Sequence, residues 1–241
     1  MLRAVCWLVI LILAPLDALI IWLWLTMPDV TGFAREFPEK TSLMKYRDEE
    51  YLEKGEKVRD DYRPVPLKRV SPYLRAAVVA SEDATFYRHH GFDFEGIQDA
   101  MEENLEKGGY SRGGSTISQQ LAKNLFLSPK KSLFRKIREF VITKRIEGKL
   151  SKNRILELYV NIAEWGKGTY GCEAASNRYF SKSCADLSPR EAALLAAALP
   201  SPRKFNPQNK NSRAYRRQEK IISWLCAGNK IPESECEGAE D

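Results

Sequence analysis

Apolar positions in this chain recur with helical period. Leu74, Val78, Glu82 and Phe86 stand four residues apart, so a helix running from Leu74 puts all four on one face. Glu82 is then a carboxylate inside an apolar stripe. The same residues also allow a shorter helix that ends at Ser81 and leaves Glu82 toward water, and spacing alone does not choose between the two. Further helices are predicted at 42–54, at 92–107 (ended by Gly108 and Gly109), from Thr116 onward, and at 132–149, 152–161, 173–180 and 212–227. Ser188, Pro189 and Glu191 give an N-cap, a proline in the first turn and a capping-box acid, opening a helix that is apolar on every side and stops at Pro200. Strand signals are weak throughout and no internal repeat is present. The fold class is mainly α.

Residues 4–25 are almost uniformly apolar and span about 33 Å as a helix, enough to cross a bilayer. Trp22 and Trp24 lie near the far end, as interfacial aromatics do, while Pro15 and Asp17 interrupt the run. A cleaved signal peptide is the alternative, but no small-x-small site follows Leu25. The expected organisation is a cytoplasmic stub at 1–3, a transmembrane helix at 4–25 and a membrane-proximal connector at 26–62. The main domain follows at 63–210, then a C-terminal helix and acidic tail at 211–241.

Lys plus Arg number 38 against 32 Asp plus Glu, a net charge of +6. This favours anionic partners without choosing among nucleic acid, phosphates and membrane surfaces. Of the five cysteines, Cys6 falls in the apolar run and Cys172, Cys184, Cys226 and Cys236 beyond it. Four extracytoplasmic cysteines allow two disulfides; Cys172–Cys184 and Cys226–Cys236 close the shortest loops. No CxxC pair is present, and no metal site is expected.

Burial raises the pKa of a carboxylate, which is how a Glu acts as an acid or base near neutral pH, so Glu82 is the first candidate for chemistry. Thr116 and Gln119 have capping-box spacing, with Gln119 and Lys123 at i and i+4. A helix amino terminus with a lysine one turn on suits a phosphate or pyrophosphate. Gly114 stands where a Walker A loop needs lysine, so that motif is excluded. The helix at 132–149 is strongly basic. Glu139 lies four residues after Arg135, an ordinary surface ion-pair spacing, and by pattern alone reads as a surface residue.

Glu82 and Asp83, with Phe86, His89 and Gly91, spell ED-x-x-F-x-x-H-x-G. Residues 113–124 spell GGSTISQQLAKN; Arg135, Lys136 and Glu139 spell RK-x-x-E; ILELYVN and EAALLAAALPSP follow. In this order the motifs resemble the peptidoglycan glycosyltransferases, the polymerising domain of bifunctional penicillin-binding proteins, over residues 63–207. TSLM at 41–44 and the lack of a later domain resemble the monofunctional members. SPKK and SPRK have S-x-x-K form, but no KTG follows.

The resemblance implies a lysozyme-like helical domain with a small membrane-proximal jaw, anchored by one transmembrane helix in the bacterial inner membrane with its catalytic side in the periplasm. It implies lipid II and the growing glycan strand as substrates, joined by an inverting β-1,4 transfer. Other cell-wall synthesis proteins are implied as partners, and nucleic acid is not. Glu82 would deprotonate the acceptor hydroxyl and Glu139 would assist at the leaving group. Asp83, Ser115, Thr116, Gln119, Gln120, Lys123, Lys131, Arg135 and Lys136 would bind substrate. No cofactor is implied, though Mg or Mn at the pyrophosphate is compatible with the chemistry. Lys131 stands where the family commonly has arginine, keeping the charge but losing the bidentate fork. His89 reads as a structural hydrogen-bonding group rather than a base. A glycan-cleaving enzyme of similar fold would not need the anchor or the basic helix, and a non-enzymatic scaffold would not need both carboxylates.

Overall fold

The computed structural model describes residues 7, 11, 13–15, 17, 21–22, 25–96, 98, 114–209 and 213–236. Eight helices organise these residues: α1 (Ser42–Glu53), α2 (Pro72–Glu82), α3 (Ile117–Phe126), α4 (Leu133–Lys149), α5 (Lys152–Ile162), α6 (Cys172–Phe180), α7 (Pro189–Ala198) and α8 (Arg213–Ala227). Three short strands, β1 (Asp61–Tyr62), β2 (Glu164–Gly166) and β3 (Thr169–Tyr170), form one sheet in the order β1-β3-β2. β3 is parallel to β1 and antiparallel to β2. The glycine-rich stretch after α5 is therefore a small hairpin. Strands of two or three residues are too short to show an alternating pattern in sequence.

Four of the expected helix starts have a capping side chain. Thr116 and Ser188 cap α3 and α7 through reciprocal boxes with Gln119 and Glu191, and Ser132 and Ser151 cap α4 and α5 through their hydroxyls. α7 is the central post. Positions 192–198 are all buried, and the helix packs against both α2 and α8. On the other side α3 packs against α4 and α5. The segment at 26–62, read as a connector, carries core residues of its own: Met27 and Val30 join the main apolar cluster, and Met44 and Tyr51 are buried. Arg47 of α1 donates through Nε to Glu164 Oε2 at 2.9 Å, fastening α1 to β2.

Two expectations are revised. α2 ends at Glu82, so Phe86 is not on its face; Phe86 reaches the core through the following turn, its N–H bonded to the Asp83 carbonyl at 2.9 Å. Of the two cysteine pairs, Cys226–Cys236 is joined, whereas Cys172 and Cys184 are thiols buried at the foot of α6. Burial, then the neighbouring Cys184, hold the Cys172 thiol well above its usual pKa. Among the described residues no helix is long and apolar enough to cross a membrane, and much of the 4–25 run lies outside them. The helix expected at 92–107 is seen from Phe94 to Gly96 and at Gln98; the rest lies outside the described residues, as do Gly113 and the last five residues of the acidic tail.

Asn161 locks the base of the domain. Its side chain accepts from Val65 N at 2.8 Å and donates to the Val65 carbonyl at 2.8 Å. Gly171 passes directly over it at φ 84° and ψ 151°, where a Cβ would come within 2.5 Å of the Asn161 carbonyl oxygen. Gly171→Ala is therefore expected to lower stability by at least about 1–3 kcal/mol, from the backbone conformation alone. Urea unfolding of the two proteins checks this. An unchanged midpoint would mean that the chain relaxes here at no cost.

Candidate active site

α2 delivers Glu82 at its last turn, and the stripe of Leu74 and Val78 beneath it is wholly buried. The Glu82 side chain is 10% exposed. Its Oε2 accepts from Gln120 Nε2 at 2.9 Å, and Gln120 Oε1 accepts from the Tyr159 hydroxyl at 3.0 Å. This order fixes the amide. A phenol pushed well above its usual pKa, by burial first and then by Glu82 and Asp83, remains a donor, so the Gln120 NH2 points at Glu82. Glu82 Oε1 is buried and has no hydrogen-bond partner among the described residues. Burial is the largest influence on Glu82 and raises its pKa; Gln120, Arg217 and Lys123 oppose it.

The neighbouring Asp83 has a different task. Its carboxylate accepts from the Ile117 N–H at 2.9 Å and from His89 Nε2 at 2.9 Å. The Gly91 N–H points at His89 Nδ1 at 3.1 Å, so Nδ1 accepts and Nε2 carries the proton. His89 is thus a structural link. Thr116 Oγ1 donates to the Gly91 carbonyl at 2.7 Å, and Gln119 is used in the capping box. Asp83, Thr116 and Gln119 therefore hold the start of α3 against the turn after α2, which sets the position of Gln120 relative to Glu82.

Glu139 is buried, its side chain 4% exposed, which corrects the surface reading. The i, i+4 spacing correctly paired it with Arg135, whose Nη1 donates to Oε2 at 2.6 Å, and Lys136 binds Oε1. What the spacing missed is that α4 turns this carboxylate inward, with the Glu139 carbonyl also accepting from Thr143 at 2.7 Å. Lys123 senses both carboxylates. Burial is the largest influence and lowers its pKa, while Glu139 and Glu82 raise it and Arg135 and Lys136 lower it. Glu82, Lys123, Glu139, Arg135 and Lys136 thus form one charged group. Ser115 and Lys131 are exposed.

Sequence reasoning missed Tyr159 and Arg217. Tyr159 lies in the ILELYVN stretch and reads there as one more apolar helix residue. Arg217 lies on α8, 136 residues from Ser81, whose carbonyl it contacts at 3.4 Å. No local signal links residues so far apart. Among the described residues no three His, Cys, Asp or Glu side chains converge as a metal site. Glu82 and Glu139 face amide or cationic partners, a donor set that does not fit a resident divalent cation.

If Asp83 acts by holding Ile117 and His89, Asp83→Ala leaves buried donors unpaired. Stability should then fall by about 1–3 kcal/mol together with activity. Thermal melts beside rate measurements check this; a fully stable but inactive variant would instead assign Asp83 a direct substrate contact.

Residues 48–225 match the family described as Transglycosylase. A biosynthetic peptidoglycan transglycosylase of Dechloromonas aromatica (strain RCB) is 44% identical over 217 residues, covering 90% of this chain and 93% of the relative. One from Aromatoleum aromaticum (strain DSM 19018 / LMG 30748 / EbN1) is 53% identical over 171 residues, covering 71% and 74%. One from Neisseria gonorrhoeae is 39% identical over 235 residues, covering 98% and 99%. With the family match spanning most of the chain, and two of these relatives aligned over more than nine-tenths of their lengths, the protein belongs to the transglycosylase family.

Proposed function

We propose that this protein is a peptidoglycan glycosyltransferase that polymerises lipid II into linear β-1,4 glycan strands and releases undecaprenyl pyrophosphate. The observation that carries the reading is the pairing of a buried, uncommitted carboxylate oxygen on Glu82 with the cationic group around Lys123. Glu82 Oε1 takes the proton from the acceptor hydroxyl of lipid II as that oxygen bonds to the anomeric carbon of the growing strand. The bond from that carbon to the pyrophosphate breaks, and the leaving group departs with the electron pair on the opposite face, inverting the centre. Lys123, Arg135 and Lys136 neutralise the charge that develops there, with Lys131 adding charge at the margin. Glu139 holds Arg135 and Lys136 in place for that task. Ser115 and Gln120 line the approach, and no step is routed through a metal.

The lysozyme-like lobe and membrane-proximal jaw belong to the same reading. α4 carries Leu133, Phe134, Ile137 and Phe140 on an exposed face, with Leu133 87% exposed. Trp22 lies 5.2 Å from the Phe134 ring, and Phe94 is 72% exposed nearby in chain order after Phe92, which stacks on Phe140 at 4.5 Å. Such an apolar patch suits the acyl boundary of a bilayer, which brings the cleft to a lipid-anchored head group. Lys136, Lys144 and Lys149 are exposed on the same helix and add attraction to anionic headgroups. A catalytic domain on the periplasmic side of the inner membrane, anchored by residues 4–25, agrees with this face and with the Cys226–Cys236 bond.

Two outcomes are expected. Glu82→Gln should remain folded and lose polymerisation of labelled lipid II by roughly 10²–10⁴-fold; near-normal consumption by a folded variant would remove Glu82 from the chemistry. Replacing Leu133, Phe134, Ile137 and Phe140 together by serine should lower turnover of lipid II held in vesicles while preserving turnover of a short-tailed, water-soluble lipid II analogue. Equal turnover of vesicle-held lipid II by the variant and the wild type would assign that face elsewhere.

A further inference from the structure

Arg217 reaches Glu82 from the C-terminal part of the chain. Its Nη2 lies 3.8 Å from Glu82 Oε1, the oxygen without a hydrogen-bond partner among the described residues. The same Nη2 contacts the Ser81 carbonyl at 3.4 Å, and Arg217 Nε is buried without a hydrogen-bond partner among the described residues. The Arg217 side chain is 33% exposed beside a nearly buried Glu82. We propose that Arg217 is a positioning residue for the reaction: it holds Glu82 ionised from the side, at charge-pair distance, and leaves Oε1 open to receive the acceptor proton. This rests on the reading of Glu82 as the base.

The distance matters. A guanidinium donating directly to Oε1 would occupy the lone pair that the reaction needs, whereas one at 3.8 Å still favours the charged form. The other groups facing Glu82 do not replace it. Gln120 is neutral, Lys123 is shared with Glu139, and Asp83 opposes ionisation. Tyr159 is neutral and hydrogen-bonds Gln120 rather than Glu82. On α7, which also packs on α2, Arg190 and Glu191 are engaged with Glu219, Glu235 and Lys182. Nor is Arg217 needed to dock its helix. Ala214, Gln218, Ile221, Ile222 and Leu225 bury that face, and Gln218 Nε2 donates to the Arg190 carbonyl at 2.7 Å. Arg217 stands at the margin of that stripe, turned to α2.

The test is the pH dependence of lipid II polymerisation by the full-length protein carrying Arg217→Gln or Arg217→Lys. The base must be ionised, so activity rises with pH through the Glu82 pKa, and loss of a neighbouring cation moves that limb upward. Arg217→Gln should shift the acidic limb up by about one pH unit or more and recover toward the wild-type rate at high pH. Arg217→Lys, which keeps the charge, should shift it much less. A limb in Arg217→Gln that coincides with wild type overturns the proposal, as does an equal loss at every pH in both variants. If Arg217→Gln does not fold, Arg217→Met is read the same way. The base reading fails separately: Glu82→Gln that still polymerises overturns it whatever Arg217 does.

Discussion

Burial of the Glu82 carboxylate is the constraint around which the rest of the molecule is arranged. A carboxylate at the end of an apolar helix is costly unless it finds partners, and each partner comes from a different element. Gln120 comes from α3, with Tyr159 of α5 behind it, and Arg217 comes from α8. Asp83, one residue on, ties the same corner to the start of α3 through the Ile117 N–H. The packing of α7 against both α2 and α8 keeps these groups within reach of one another. One oxygen of Glu82 is satisfied and the other left open, a division that suits a proton acceptor better than a structural ion pair.

The second carboxylate solves the opposite problem. Glu139 is more buried than Glu82 but is held by two cations on its own helix, Arg135 and Lys136. A carboxylate so committed is better suited to orienting charge than to moving protons. Lys123 stands under the influence of both, its own charge weakened by burial. The two acidic residues thus differ in role because their neighbours differ.

The parts of this arrangement that depend on local chemistry were legible in the sequence. Capping boxes at Thr116 and Ser188, Pro189 in the first turn of α7 and the uniformly apolar run behind it each fix a helix by short-range rules. The apolar spacing pointed to Glu82, and the ordered motifs pointed to the family. What depends on distant segments was not legible. Glu139 reads as a surface residue because nothing near it says which way α4 faces, and Arg217 has no neighbour in sequence that marks it. The three strands were too short to leave a period. Phe86 was placed on the wrong element, since a turn that folds back into the core looks like one more helical repeat. Cys172 and Cys184 close a short loop in sequence, yet they remain thiols in the core.

Direct titration of Glu82 by carbon NMR, with the resonance assigned by its loss in Glu82→Gln, tests the central claim most directly. The account predicts that the assigned Glu82 carboxyl titrates above the ordinary glutamate value of about 4.3 and is sensitive to the charge at position 217. A Glu82 that titrates in the ordinary range, unmoved by that charge, would contradict it.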